Sequence, residues 1–457
     1  MVCLSGATRK LVGELQHTTK PFPFRLSTLS RKYLRQLANR VDESVRHPCE
    51  IKREPLPETF LSSLPEKSFY SHIPGSIREK IKKGVPKGGK YTFSVGKHRV
   101  ELWVVFPPPA PSHEYSRIFH SEELCHEFFE SSLSRIAIWL GVAFPFAGAE
   151  CAQQLTVYLF WTDHHKRLPD SDKDDIERKH ANTAFTYACK PRTEIVLFRL
   201  EEWFKVFIHE SFHTLGLDFS QMDATESNRQ IIRLFPGCSA HTDIRLYETY
   251  CEIWAETLNV LMIAYFDVLG RVPSGPPSTP TTGLLPKQMD FVLKKTEGYL
   301  AMERTFSVLQ ARKVLKHYGF TYRDICHGTG NRPSTPKYAE TTPVFSYFLL
   351  KSIGLYHLND FLQWCARHLS TSPENYSLHF PKTAEVVREY GTQIGKLSRN
   401  TEFIEKMESP SLHFPNRIFR MSVYEMCAIP SEKPSPTRRR GRSLGGCARC
   451  TRKRRQS

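Results

Sequence analysis

The chain has 457 residues, 40% of them hydrophobic and 12% aromatic, and a formal net charge of +17. That is a globular composition, long enough for two or three domains, and it excludes a disordered or low-complexity chain. No run approaches roughly 18 uncharged apolar residues, and the opening MVCLSGATRKLVGELQ lacks an apolar core of signal-peptide length, which points away from a membrane span and from secretion by that route.

The basicity sits at the ends. Residues 1–100 carry 20 Lys/Arg against 8 Asp/Glu, residues 433–457 carry 10 basic residues and no acid, and the middle is mildly acidic. Basic ends suggest polyanion partners, such as nucleic acid or a membrane surface. The 12 cysteines show no framework spacing, and without a secretion signal they read as reduced thiols.

In chain order, Leu26 to Val45 predicts a basic amphipathic helix, because Leu29, Tyr33, Leu37 and Val41 recur every four residues. Tyr91 to Phe106 predicts a hairpin turning at Gly96-Lys97, and PPPAP (Pro107 to Pro111) predicts a stiff linker and a domain boundary. Ser121 to Phe144 predicts a helix with a serine cap and acids in its first turn. Leu155 to Thr162 predicts a buried strand, and Asn182 to Tyr187 and Glu194 to Phe198 predict two short strands.

Leu200 to Gly216 predicts a helix whose buried stripe is Phe204, Phe207, Ile208, Phe212 and Leu215, with Gly216 as its stop. Ile244 to Gly270 predicts a second long apolar helix, and further helices are expected near 285–318, 343–353, 357–369 and 382–397. The expected organisation is a basic N-terminal region over 1–110, a main domain over 111–431 and a disordered basic tail over 432–457.

The chemistry concentrates in VFIHESFHTLGLDFS (Val206 to Ser220). Residues four apart on a helix share one face, so His209 and His213 can aim two imidazoles at one metal. Glu210 is the next residue and can reach a water beside that metal without being a ligand. Zinc brings the pKa of such a water to about 7, and a neighbouring carboxylate can take its proton. Two histidines alone would not need that glutamate, which is why His-Glu-x-x-His is a stronger signal than a histidine pair.

A catalytic zinc needs a third protein ligand. The metzincin position is occupied by Phe219, which excludes that arrangement. Asp218 follows the helix closely, at a spacing short for reaching back. YETYCEIWAETLN carries Glu248, Glu252 and Glu256 one turn apart on an otherwise apolar helix. Three acids there are costly unless they meet cations or a metal. The competing reading is a solvated acidic stripe. Periodicity does not choose among the three glutamates.

HESFH followed by EIWAE resembles the gluzincin class of zinc metallopeptidases, and the EIWAE form is similar to that of the lethal-factor type of zinc toxin. EEWFKVFIHESFHTLGLDFS also resembles zincin-like proteins of large DNA viruses. The resemblance spans residues of about 120–270. It implies an α+β, zincin-like catalytic domain: a small mixed sheet, an active-site helix and a helical lobe. It implies Zn2+ held by His209, His213 and Glu252, Glu210 as general base, and Glu256 as the acid supporting a zinc-binding histidine. Glu248 as ligand with Glu252 behind it has the same spacing. The resemblance also implies that NTAFTY is a sheet edge pairing with an extended peptide, and that an oxyanion donor lies among His241, Tyr247, Tyr250 and Tyr347.

The function expected is therefore a zinc endopeptidase acting on protein or peptide. The alternative is a catalytically silent zincin-like scaffold whose basic ends bind nucleic acid. RRRGR and RKRR in the tail suit nuclear import or nucleic-acid contact, and Cys447 with Cys450 is a lone Cys-x-x-Cys. An intracellular location, nuclear or virion-associated, is expected.

Overall fold

The computed structural model describes residues 4–239, 242–273, 283–328, 338–370, 372, 375–412 and 416–426. The tail, Cys447, Cys450 and His241 lie outside the described residues. The architecture is mixed α+β around one six-stranded sheet. No described helix is long and apolar enough to cross a membrane.

The strands are β1 (Lys52–Glu54), β2 (Lys87–Val95), β3 (His98–Phe106), β4 (Gln154–Phe160), β5 (Ala184–Thr186) and β6 (Arg192–Leu197), in the spatial order β1-β2-β3-β4-β6-β5. β2 and β3 form the expected hairpin, and Gly96 takes the left-handed φ of +57° that its tight turn requires. β3, β4 and β6 run parallel, while β5 pairs antiparallel with β6 and forms one edge.

The boundary expected at residue 110 is corrected by this pairing. β3 precedes PPPAP and β4 follows it, yet the two are neighbours in register from Arg99↔Gln154 to Val105↔Phe160. PPPAP leads into the crossover that parallel strands need, which contains helix α3 (Glu122–Ala143), capped by Ser121 through Leu124 N–H. The N-terminal region therefore builds the same sheet as the main domain. Its helices α1 (Gly6–Thr18) and α2 (Thr28–Arg46) enter the main core as well, and α2 packs on α3.

The sheet is covered on both faces. Val157 and Leu159 of β4 join the large core, whereas Tyr158 and Phe160 face a smaller one built with Phe60, Phe69, Ile77 and Ile81. This alternation is the period of two of a strand buried on both sides.

Helices α4 (Trp203–Thr214), α5 (Leu246–Leu269) and α6 (Pro286–His317) follow. The predicted stripe on α4 is buried throughout, and α5 packs against it. α5 is buried along nearly its whole length, so its three glutamates are interior residues and not a solvated stripe.

The expectation of free thiols fails at one pair, because Cys151 and Cys189 form a disulfide. Each lies three residues before a strand, β4 or β6, and those strands pair with Gln154 opposite Arg192. The parallel register thus carries the two cysteines to a Cα–Cα distance of 4.8 Å, within bridging range. Nothing in their sequence spacing signals that.

Candidate metal centre

α4 presents His209 and His213 on the face that meets α5. Trp139 of α3 secures the opposite side, donating from Nε1 to Ser211 Oγ at 2.8 Å. After Thr214 the helix stops as predicted. Gly216 takes φ +64°, Gly216 N–H donates to His213 O and Leu217 N–H donates to Phe212 O, which is a Schellman turn. A Cβ on Gly216 would lie 2.8 Å from Cys151 Sγ, so the turn, the disulfide and the missing side chain go together.

The reversal brings Asp218 back to the helix, where its Oδ2 lies 2.5 Å from His213 Nδ1. Asp218, weighed from the sequence as a ligand, lies against His213 Nδ1 and not against the two Nε2 atoms, and with His213 and Cys251 it forms a second buried group that could hold a metal ion. With Nδ1 engaged, His213 Nε2 is the nitrogen left for a metal.

Three donor atoms converge. His209 Nε2 and His213 Nε2 are 3.2 Å apart, and Glu248 Oε2 lies 3.1 Å from the first and 3.2 Å from the second. Ligands about 2.0 Å from a tetrahedral metal stand about 3.3 Å from one another, so this triangle matches three corners of such a site. All three residues are buried, and the group could hold a metal ion.

The acid row is thereby read one turn earlier than the resemblance implied. Glu248, not Glu252, meets both Nε2 atoms. Glu252 lies behind them: its Oε1 is 2.9 Å from His209 Nδ1, not aligned as a hydrogen bond, and its Oε2 pairs with Lys205. Glu256, expected behind a histidine, pairs instead with Lys351 at 2.5 Å. The physical reason is the register of two helices that run past each other in opposite directions. His213 meets Glu248, His209 spans Glu248 and Glu252, and Lys205 meets Glu252. Lys205 stands one turn before His209 and takes the acid that the resemblance assigned to metal.

The field agrees with a cation at this position. Burial works against a carboxylate at Glu248, but the two imidazoles outweigh it and hold its pKa below the usual range. Burial also opposes protonation of both histidines, yet Glu252 beside His209, and Cys251, Glu248 and Asp218 around His213, raise them above the ordinary value. Buried acids thus draw positive charge to this point, which a metal ion can supply in place of protons.

The cluster opens on a cleft of about 560 Å³. Glu210 lines it and makes no side-chain hydrogen bond among the described residues. Burial pushes its carboxyl above the ordinary range, with the imidazoles opposing. Tyr247 and Tyr347 also line the cleft, their rings edge-on to His213 at 5.9 Å and to His209 at 6.5 Å. Tyr347 lies on a π-helical turn, Phe345–Leu350, a geometry frequent at functional sites. Tyr250 is excluded as a cleft donor, since it is fully buried and donates to Leu378 O. The edge strand β5 forms a further wall through Ala184, Phe185 and Thr186. Sequence reasoning missed His72, whose ring stacks on Phe185 at 4.1 Å, and Met421, which arrives from the far end of the chain.

No protein-family model, no curated protein and no solved structure matches this chain.

Proposed function

We propose that this protein is a zinc-dependent peptidase in which His209, His213 and Glu248 hold the metal. The observation that carries the reading is the convergence of two Nε2 atoms and one carboxylate oxygen beside the unpartnered Glu210. Two imidazoles and one carboxylate are a donor set that suits zinc with an open fourth position. Zinc held there supplies Lewis acidity, which makes water nucleophilic near neutral pH.

The chain's own residues supply the rest. Glu210 takes the proton of the attacking water and returns it to the leaving amine, a role suited to its raised pKa. Tyr347 and Tyr247 offer hydroxyls from the cleft wall to the oxygen on which charge develops. The outer side of β5 offers main-chain groups to an extended peptide, which suits a protein or peptide substrate.

Purified protein is expected to carry one zinc per chain by elemental analysis and to cleave a peptide library in a chelator-sensitive way. Glu210→Gln keeps the zinc and loses about 10²–10⁴-fold in turnover. Zinc without chelator-sensitive cleavage, or no zinc at all, would leave the silent scaffold as the correct reading.

A further inference from the structure

Ile418 to Met426 form a strap through the interior. The segment joins no strand of the sheet, and its backbone makes only isolated bridges, Arg167↔Ile418 and Leu4↔Met426. At residues 421–424 its peptide N–H groups are satisfied by buried charged side chains. Glu202 accepts from Met421 N–H at 3.0 Å and from Ser422 N–H at 2.6 Å. Glu303 of α6 accepts from Val423 N–H at 2.8 Å and from Tyr424 N–H at 2.9 Å. Lys351 Nζ donates to Met421 O at 2.5 Å.

Buried charges of this kind require partners: Glu202 has the Lys166 ammonium at 2.8 Å and Lys351 has Glu256 at 2.5 Å, and the strap backbone adds to both. For Glu303 the strap N–H groups are the only hydrogen-bond partners among the described residues. Glu202 sits immediately before α4 at a left-handed φ of +58°, a conformation that a non-glycine residue keeps only when its surroundings hold it. The strap therefore grips the start of the active-site helix directly.

A second connection runs to the metal cluster itself. Lys351, which holds Met421 O, also pairs with Glu256 and lies 3.9 Å from Glu252. Glu252 is shared with Lys205 and faces His209 Nδ1. A continuous chain of contacts thus leads from the strap backbone through Lys351 and Glu252 to His209. The Met421 side chain meanwhile forms part of the cleft wall.

We propose that the strap is a positioning element of the metal centre, and that Lys351 is the positioning residue through which it acts. The proposal rests on the metal reading given above. Seated, the strap fixes Lys351 against Glu252 and so holds His209 in ligand geometry. Unseated, it leaves Glu303 without its hydrogen-bond partners among the described residues, leaves Glu202 and Lys351 only their ion pairs with Lys166 and Glu256, loosens Glu252 and removes the Met421 wall. Because linkage is reciprocal, metal binding must tighten the strap to the same extent that strap seating tightens metal binding.

The test uses the full-length protein and zinc alone as the probe, with affinity read by competition against a chelator and strap seating by amide hydrogen exchange at residues 421–425. Zinc is expected to slow that exchange in the wild type. Lys351→Met with Glu256→Gln removes an ion pair as a unit, so the fold is kept more readily than after either loss alone. That variant should bind zinc about 10–100-fold more weakly, the range for residues that support a ligand. Glu303→Gln touches the strap and neither Glu252 nor His209. It should speed exchange at Val423 and Tyr424 and weaken zinc binding as well. Wild-type protein that binds zinc with no change in strap exchange overturns the proposal. So does either variant, folded by circular dichroism, that binds zinc as the wild type does. Wild-type protein that binds no zinc overturns the metal reading instead.

Discussion

His209 and His213 stand one turn apart on one helix, and they are held in different ways. The support of His213 is local. Asp218 comes five residues later, returned by the reversal at Gly216, and the Cys151–Cys189 disulfide packs against that reversal. The support of His209 is distant. Glu252 belongs to another helix, is held by Lys205 and Lys351, and Lys351 is held in turn by the strap near residue 421. A chain reversal brings the acid to one imidazole, with Cys251 of α5 adding a contact to that acid at 3.6 Å, whereas the acid beside the other imidazole comes from α5 itself. The same division separates the acids of α5: Glu248 faces the cleft and both imidazoles, and Glu256 faces an ammonium in the core.

The largest effect is expected at the residue the two histidines share. Glu248→Gln should abolish zinc retention after dialysis, because it removes one of three protein ligands. Stoichiometric zinc in that variant would mean that Glu248 is not a ligand, and the contrast with Glu252 would collapse.

Asp218→Asn and Glu252→Gln come next and test the contrast itself. Each should lower zinc affinity about 10–100-fold, since each acid stands behind a ligand. Their effects on folding should differ. Glu252→Gln strips the carboxylate from the buried Lys205 ammonium and should cost about 3–5 kcal/mol in urea unfolding. Asp218→Asn keeps a hydrogen-bonding side chain in a local turn and should cost about 1–3 kcal/mol. Equal losses of stability for the two variants would show that both supports are of one kind.

The smallest effect on the metal is expected from Glu256→Gln. Glu256 pairs with Lys351 in the core and is not among the acids that meet either histidine, so its influence on the metal is indirect. Zinc affinity should fall by less than about tenfold, below the range for an acid that touches a ligand. A larger fall in a chelator titration would return Glu256 to the role that the resemblance suggested.

Much of this arrangement is legible in the residues. The His-Glu-x-x-His spacing, the buried stripe of α4, the stop at Gly216 and the row of acids on α5 all follow from periods of one helical turn. One signal was present and unused. Lys205 precedes His209 by one turn on a face already rich in charge, and a buried lysine there must claim one acid of the row. Counting it leaves fewer acids for the histidines, and the packing of the two helices makes Glu252 its partner.

Local patterning therefore determined the elements, the histidine pair and Glu210 beside it, because those depend on backbone geometry that repeats within a single segment. Tertiary structure decided the rest. Sliding one helix past another by a turn leaves every i, i+4 pattern unchanged, so only packing between α4 and α5 selects which glutamate meets the histidines. The disulfide depends on the register of two parallel strands, and the joining of residues 1–110 to the main sheet depends on a crossover that PPPAP does not reveal. The strap is the clearest case. Its residues carry no periodic signal, and the N–H groups of 421–424 and Met421 O are satisfied by Glu202 at the start of α4, Glu303 of α6 and Lys351, partners far away in the chain.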